Sequence, residues 1–171
     1  MEMFKNTKNL TIGAMLLAVS VVLSFLKIPI TSLIELRFNS LPVAICGCFF
    51  GPVAGGIVGA LADILGYLVR PTGPFFPGFT ITSALTGVIY GLLLYRKDLT
   101  LPRLAVAEGL QTIVISMLLN SVCLAILYGN GFPVVFTARI VKNLVMYPVN
   151  LALLFFTVKP LKQLFIKKPA A

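Results

Sequence analysis

Long apolar stretches with few charged residues constrain the fold of this chain more than any other feature. They lie at about 9–26, 39–51, 53–69, 78–95, 104–128 and 137–158. A helix needs about 20 mostly apolar residues to cross a bilayer core, and helices or closed barrels satisfy all backbone hydrogen bonds there. Charged residues make up only 11% of the chain, against about 25% in a soluble domain. We therefore predict an all-α integral membrane protein, with residues 1–171 forming a single transmembrane domain.

The region 38–69 decides whether the chain has five or six spans. Its single charged residue is Asp63. As one helix the region would be about 48 Å long, whereas a bilayer core is about 30 Å thick. Gly51 and Pro52 interrupt it near its middle, where a proline disrupts a continuous helix. The sequence thus predicts two short helices here and six transmembrane helices in total.

Basic residues flank the spans in three clusters: Lys5 and Lys8, then Arg96, Lys97 and Arg103, then Lys159, Lys162, Lys167 and Lys168. Cytoplasmic loops of membrane proteins carry an excess of Lys and Arg. Six spans place all three clusters and both termini in the cytoplasm, and leave outer loops at about 27–38, 70–77 and 129–136. Five spans would separate the first two clusters. Because the basic residues flank spans, the net charge of +9 does not indicate a nucleic-acid partner.

The sixth span carries a polar stripe made of Arg139, Lys142, Asn143, Met146, Tyr147 and Asn150. Spacings of three and four residues place this stripe on one helix face. Two cations without a nearby acid favour an anionic ligand. Snorkelling to the outer headgroups is the alternative, and it suits Arg139 better than Lys142 and Asn143, which lie one turn deeper.

Asp63, Tyr67 and Arg70 form a second cluster, on the third span. A carboxylate in this position would accept paired hydrogen bonds from the amino and ring N–H groups of a heterocycle. A role as an internal partner for Arg, Lys or freed backbone N–H groups is equally compatible with the spacing. Of the five acids, we expect Asp63 alone to be well buried.

Aromatic and hydroxyl side chains add weaker signals on the fourth and fifth spans. Phe75, Phe76 and Phe79 form either an aromatic wall for a flat ligand or an interfacial belt. Hydrogen bonds between helices are the expected role of Thr80, Thr82, Ser83, Thr86, Ser116, Asn120 and Ser121.

Small residues on the first span mark a helix contact. Ala14 and Ala18 form a small-x-x-x-small pair, with Gly13 beside it. Such pairs let helix backbones approach closely. Packing inside the bundle and contact with a partner protein both fit this pattern.

The chain lacks the residues of common catalytic sites. It has no histidine, which excludes Ser/His/Asp and Cys/His arrangements, and no Gly-rich phosphate loop with a Lys. Cys46, Cys48 and Cys123 lie in apolar runs, where packing is the usual role of a thiol. We expect no enzymatic activity, no metal and no cofactor.

Four segments resemble the substrate-binding S-components of energy-coupling factor (ECF) vitamin transporters. They are the pair Ala14-x-x-x-Ala18, RFNSLPVAICGCFFGPVAGGIVGALADILGY from Arg37, PTGPFFPGFTITSALTGVIYG from Pro71, and ARIVKNLVMYPVN from Ala138. The last two are similar to the folate-specific members in particular. The resemblance covers almost the whole chain.

This resemblance implies a six-helix bundle in the plasma membrane of a prokaryote, with an outward-opening cavity for folate. It implies delivery of the vitamin through a transmembrane coupling protein and two cytoplasmic ATPases, with Ala14 and Ala18 docking the coupling protein. An S-component for riboflavin or pantothenate is the alternative within the family. A small membrane scaffold or pore without an ATPase partner, using glycine-rich faces to oligomerise, is the alternative outside it.

The folate reading also implies roles for individual residues. Asp63 would bind the pterin amino and N–H groups, Phe and Tyr rings would flank the pterin, and the loop 28–38 would act as a lid. A cation would hold the glutamate tail, and the choice among Arg37, Arg70, Arg139 and Lys142 stays open. The expected substrate-binding residues are Arg37, Asp63, Tyr67, Arg70, Phe79, Thr80, Arg139, Lys142, Asn143 and Tyr147.

Overall fold

The computed structural model describes residues 7–25, 28–31, 34–36, 40–71, 74–128 and 132–166. Its elements in chain order are α1 (Thr7–Phe25), β1 (Ile28–Thr31), β2 (Ile34–Leu36), α2 (Ser40–Phe50), α3 (Pro52–Val69), α4 (Pro77–Leu94), α5 (Leu101–Leu110), a π-helical segment (Gln111–Leu119), α6 (Asn120–Tyr128) and α7 (Phe132–Ile166). Because α5, the π segment and α6 run on without a break, the described residues form six helical rods.

Four of these rods are long and apolar enough to cross a membrane, by length and composition. They contain Thr7–Phe25, Pro52–Val69, Pro77–Leu94 and Leu101–Leu127. Ser40–Phe50 and Lys142–Val158 are shorter apolar helices. This arrangement fits the predicted six-helix bundle.

The boundary between α2 and α3 lies at the predicted break. Gly51 has a backbone φ of 94°, in the left-handed region that only glycine adopts without strain. Pro52 follows as the first residue of α3, where its fixed φ suits a helix start. The chain therefore turns sharply here instead of continuing as one long helix.

Glycines bring α2 and α3 against α4 with their backbones in contact. A Cβ on Gly55 would lie 2.6 Å from the Gly87 carbonyl oxygen, and one on Gly47 would lie 2.8 Å from the same atom. Real Cβ atoms do not approach that closely, so larger residues do not fit. Close backbone packing of this kind holds helices together where lipid removes the hydrophobic force.

Two features depart from the sequence analysis. The fifth span contains nine π-helical residues where we expected a plain α-helix. β-branched residues run from Thr112 to Ile115, and such side chains crowd the preceding turn of an α-helix. In the expected outer loop 27–38, β1 and β2 form an antiparallel hairpin that pairs Ile28 with Leu36 and Thr31 with Ile34.

Candidate ligand-binding cavity

A partly open cavity lies between α2, α3, α4, the π segment, α6 and α7. Its empty space, including the open mouth, is about 840 Å³. The lining residues are Ser40, Val43, Asp63, Phe79, Thr82, Ser83, Thr86, Gln111, Thr112, Ile115, Ser116, Asn120, Lys142, Asn143, Met146 and Asn150.

Most of the side chains that line this cavity are polar. The apolar exceptions are Val43, Phe79, Ile115 and Met146. Outward-facing positions of the bundle carry large apolar side chains instead, such as Leu144 and Leu68, which are 76% and 69% exposed. Polar groups inside a membrane are costly, and their concentration around one space indicates a binding function.

α7 supplies one wall of the cavity through the predicted stripe. Lys142, Asn143, Met146 and Asn150 all line the space. Asn143 is only 6% exposed, and its Oδ1 accepts a hydrogen bond of 2.9 Å from the Ser116 hydroxyl. Its Nδ2 is buried and has no hydrogen-bond partner among the described residues. The amide nitrogen is thus a donor available to a ligand.

Asp63 supplies an acid from the opposite side, on α3. Its Oδ2 accepts a hydrogen bond of 3.0 Å from the Thr80 hydroxyl, so α4 helps to fix the carboxylate. Among the described lining residues, Asp63 and Lys142 are the two that carry charge. The cavity lining therefore contains one acidic and one basic side chain.

Thr80, Thr82 and Ser83 of α4 form the predicted hydrogen bonds to neighbouring helices. The Thr86 hydroxyl instead donates to the Thr82 carbonyl oxygen within α4, and the buried Ser121 hydroxyl has no partner among the described residues. The Thr82 hydroxyl donates to Asn120 Oδ1 at 3.0 Å, and the Ser83 hydroxyl donates to the Gly59 carbonyl at 2.9 Å. These side chains also line the cavity. They connect the cavity wall to the glycine-packed helices behind it.

Several predicted site residues lie beside the cavity and not in its lining. The Tyr67 ring packs against Phe75, with 5.2 Å between centroids. Arg70 donates from Nη1 to the Phe25 carbonyl oxygen at 2.6 Å, which ties α3 to the end of α1. The Tyr147 hydroxyl donates to the Ala105 carbonyl oxygen at 3.0 Å.

Two predicted cations fall outside the part of the chain that is described in side-chain detail. Arg37 lies outside the described residues altogether. The backbone of Arg139 belongs to α7, and its side chain is not described. Their contact with a ligand anion stays a prediction.

Glu108 is an acid that the sequence analysis missed. We expected Asp63 alone to be buried, and this was wrong, because Glu108 on α5 is 1% exposed while Asp63 is only partly buried. The Tyr90 hydroxyl donates to Glu108 Oε2, and the Asn150 side chain hydrogen-bonds to the same carboxyl group. The signal in the sequence was a lone acid inside an apolar span.

Ala14 and Ala18 lie on the outside of the bundle. Both are exposed, whereas Gly13, Ser20 and Ser24 form the buried face of α1. No residue of α1 lines the cavity. The structure therefore assigns the alanine pair to an outward surface and not to packing inside the bundle.

Cysteines and acids in the described part of the chain do not gather into a metal site. No group of three or more His, Cys, Asp or Glu side chains there is placed to hold a metal ion. Cys46, Cys48 and Cys123 are buried free thiols.

Comparison with known proteins places these features in context. The family model described as "ECF transporter, substrate-specific component" matches residues 8–158. The folate transporter FolT of Clostridium novyi (strain NT) is 36% identical over 141 residues, which cover 82% of this chain and 82% of that protein. The folate transporter FolT of Leuconostoc mesenteroides is 30% identical over 157 residues, covering 88% and 84%.

A solved structure is also similar to this chain. It is described as the crystal structure of FolT bound with folic acid, and it superposes with a TM-score of 0.84 at 31% identity. The match covers 91% of this chain and 95% of that one. The likeness therefore extends over about nine-tenths of the chain.

Proposed function

This chain belongs to the substrate-specific components of ECF transporters, and from that membership we propose that it binds folate in the cavity lined by α4, the π segment and α7. Members of this family are transport components and not enzymes. The observation that carries the proposal is a polar cavity enclosed by apolar helices, with Asn143 presenting an unpartnered amide donor. The relatives named folate transporters and the similar structure bound with folic acid support the choice of folate.

The chemistry of the lining suits the parts of a folate molecule. A pterin is a flat heterocycle with both hydrogen-bond donors and acceptors, and amides, hydroxyls and a carboxylate surround the cavity. Phe79 offers an aromatic face for stacking. Lys142 offers a cation to the carboxylates of the glutamate tail.

We assign direct contact with folate to Asp63, Phe79, Lys142 and Asn143, because all four line the cavity. Thr80 acts by holding Asp63 in place. Arg37 and Arg139 are further candidates for the anionic tail. Tyr67, Arg70 and Tyr147 contribute by fixing the helices around the site, through the contacts that their rings and donors make.

The cavity opens toward the outside of the cell in this proposal. Ser40, Asp63, Phe79 and Lys142 lie in the halves of their helices that the charge distribution assigns to the outer side. Both termini are then cytoplasmic, in the plasma membrane of a prokaryote. Folate captured from outside passes inward through a separate coupling protein and two ATPases, and the exposed Ala14 and Ala18 dock the coupling protein.

The scaffold or pore alternative depends on glycine-rich faces being available to a second copy. Gly47, Gly55 and Gly87 are instead used within the chain, where α2 and α3 meet α4. The structure thus favours a monomeric binding subunit over an oligomer built on those glycines.

Calorimetry on the purified chain in detergent tests the proposal. Folic acid, riboflavin and pantothenate are titrated in turn, and we expect folic acid to bind at micromolar concentration or below, which corresponds to about 8 kcal/mol or more. Tight binding of riboflavin or pantothenate without binding of folic acid would show that the chain is specific for another vitamin. Failure to bind all three would remove the proposed function.

A further inference from the structure

A buried cluster formed by Glu108, Tyr90 and Asn150, which we name the floor cluster, lies beneath the deep end of the cavity. Glu108 lies three and four residues before Gln111 and Thr112, so it is on the same helix face, one turn beyond the lining. Glu108 and Tyr90 are each 1% exposed. Asn150 is part of both the cavity lining and the floor cluster, because it lines the cavity and hydrogen-bonds to Glu108.

Two atoms of the floor cluster lack a hydrogen-bond partner. Glu108 Oε1 and Asn150 Oδ1 are buried, and neither has a partner among the described residues. A buried acceptor without a donor costs free energy, and buried polar atoms in native proteins are nearly always paired. Both atoms are acceptors, and Asn150 Oδ1 is the one that belongs to a lining residue, so it can accept a hydrogen bond from an N–H group of a bound molecule.

Glu108 determines which way the Asn150 amide faces. An asparagine amide carries its donors on nitrogen and its acceptor on oxygen. Asn150 Oδ1 has no partner among the described residues, so the hydrogen bond that joins Asn150 to Glu108 comes from Asn150 Nδ2. Its Oδ1 is then directed away from Glu108, on the side where Asn150 lines the cavity.

The side-chain amide of Asn143 is held in the opposite orientation to that of Asn150. The Ser116 hydroxyl donates to its Oδ1, which leaves Nδ2 as the unpartnered group. Asn143 and Asn150 are two turns apart on α7, about 10 Å along the helix. The α7 wall therefore presents a donor at Asn143 and an acceptor at Asn150.

We propose that Glu108 is a positioning residue that holds Asn150 Oδ1 ready to accept a hydrogen bond from an N–H donor of the bound molecule. This inference rests on the proposed function, since for folate the donor is the amino group or ring N–H of the pterin. Glu108 itself stays beneath the lining. Tyr90 completes the arrangement by fixing the carboxyl group from α4.

The test compares folic acid with its 2-desamino analogue, which lacks the pterin amino group. Glu108→Gln keeps the size of the side chain and adds a donor, so Asn150 is no longer confined to one orientation. We expect the Kd for folic acid to rise on the order of tenfold, because one oriented hydrogen bond is lost. The Kd for the analogue should change little, so the discrimination between the two ligands falls.

Two further variants separate positioning from a loss of structure. Tyr90→Phe removes the hydroxyl that fixes Glu108 and should reduce the same discrimination by a smaller factor, so it carries the test if Glu108→Gln does not fold. Ser24→Ala removes a buried hydroxyl hydrogen bond on α1, remote from the cavity, and should leave the discrimination unchanged.

Equal weakening of both ligands by Glu108→Gln and Tyr90→Phe, or no weakening, would overturn the positioning role while leaving folate binding intact. If the wild-type chain binds riboflavin and not folic acid, the proposed function fails, and riboflavin is compared with its N3-methyl analogue in the same variants. Reduced discrimination there still supports the role of Glu108, and unchanged discrimination overturns it.

Discussion

The two sides of α4 are built in opposite ways. Toward α2 and α3, its glycines allow backbone contact, and a Cβ on Gly55 would lie 2.6 Å from the Gly87 carbonyl oxygen. Toward the π segment and α7, the same helix presents Phe79, Thr82 and Thr86 to an open cavity of about 840 Å³. One face of α4 thus packs with its backbone against neighbouring helices, and the other face borders an open cavity.

The difference shows how a small membrane protein keeps a cavity without losing its fold. Lipid is as apolar as a leucine side chain, so close packing must hold the helices together. The glycine contacts provide that packing on one side of α4. On the other side, polar side chains line the cavity and are available to bind a ligand. Substitutions in the glycine contact should therefore change stability, and substitutions at the cavity should change affinity.

Gly87→Val is the substitution with the largest expected effect. A Cβ on Gly87 would collide with the Gly55 backbone, and backbone atoms cannot move aside as a flexible side chain does. We expect a loss of about 3 kcal/mol or more in the free energy of unfolding, at the upper end for overpacked cores. Thermal unfolding of the purified protein in detergent measures it.

Gly109→Ala is the control for adding a Cβ to a helical glycine that has room for it. The nearest atoms to a Cβ on Gly109 belong to the Tyr147 ring and hydroxyl, at 3.8 and 3.9 Å, an ordinary contact distance. Its melting temperature should equal or slightly exceed that of the wild type, because alanine favours a helix over glycine. If Gly87→Val melts like Gly109→Ala, the glycine contact does not hold the helices together.

Lys142→Ala addresses the other side of α4 and should affect binding alone. If Lys142 holds a carboxylate of the ligand, its removal weakens folic acid binding by about 1–3 kcal/mol. The melting temperature of the ligand-free protein should stay near the wild-type value. Calorimetry and a melting curve on the same sample measure both quantities.

Arg103→Ala is the control for charge, since it also removes one positive charge. Arg103 lies away from the cavity and donates from Nη1 to the Asp98 carbonyl oxygen at 3.2 Å. It should leave folic acid affinity unchanged. Equal weakening by both variants would mean that net charge, and not contact with Lys142, attracts the ligand.

Ser116→Ala should have a smaller effect, because it acts on the ligand through Asn143. The Ser116 hydroxyl holds Asn143 Oδ1, and without it the amide is free to turn over. We expect folic acid binding to weaken by about 0.5–1.5 kcal/mol, the net value of one hydrogen bond. An unchanged affinity in the calorimeter would show that other contacts orient Asn143.

The sequence predicts the features of this structure that depend on a single segment of the chain. The six helices follow from the length of apolar runs, the α2–α3 break follows from Gly51 and Pro52, and the α7 wall follows from helical spacing. Each of these signals lies within one segment, so no knowledge of the neighbouring helices is needed.

Contacts between distant segments were not predictable in the same way. Glu108 is a lone acid in its span, and nothing local shows that it meets Tyr90 and Asn150 from two other helices. The π segment adds Gln111 and Thr112 to the cavity lining, and its longer turn leaves no periodic pattern to detect. Arg70 illustrates the converse, because its spacing from Asp63 suggested a shared site whereas its guanidinium binds the end of α1.

Ala14→Leu should have the smallest effect on the isolated chain. Ala14 is exposed on α1, and α1 does not line the cavity, so a larger side chain there meets lipid or a partner and not the bundle. Folic acid affinity and melting temperature should equal the wild-type values. Uptake of labelled folate by cells that also express the coupling protein and ATPases should fall, because the added bulk separates two helices that small residues allow to touch. Met15→Leu, at a position 64% exposed on the same helix, should leave uptake intact. A loss of affinity in Ala14→Leu would instead show that Ala14 is needed for the packing of the bundle. The packing that supports the cavity would then include α1 as well as the glycine contacts of α4.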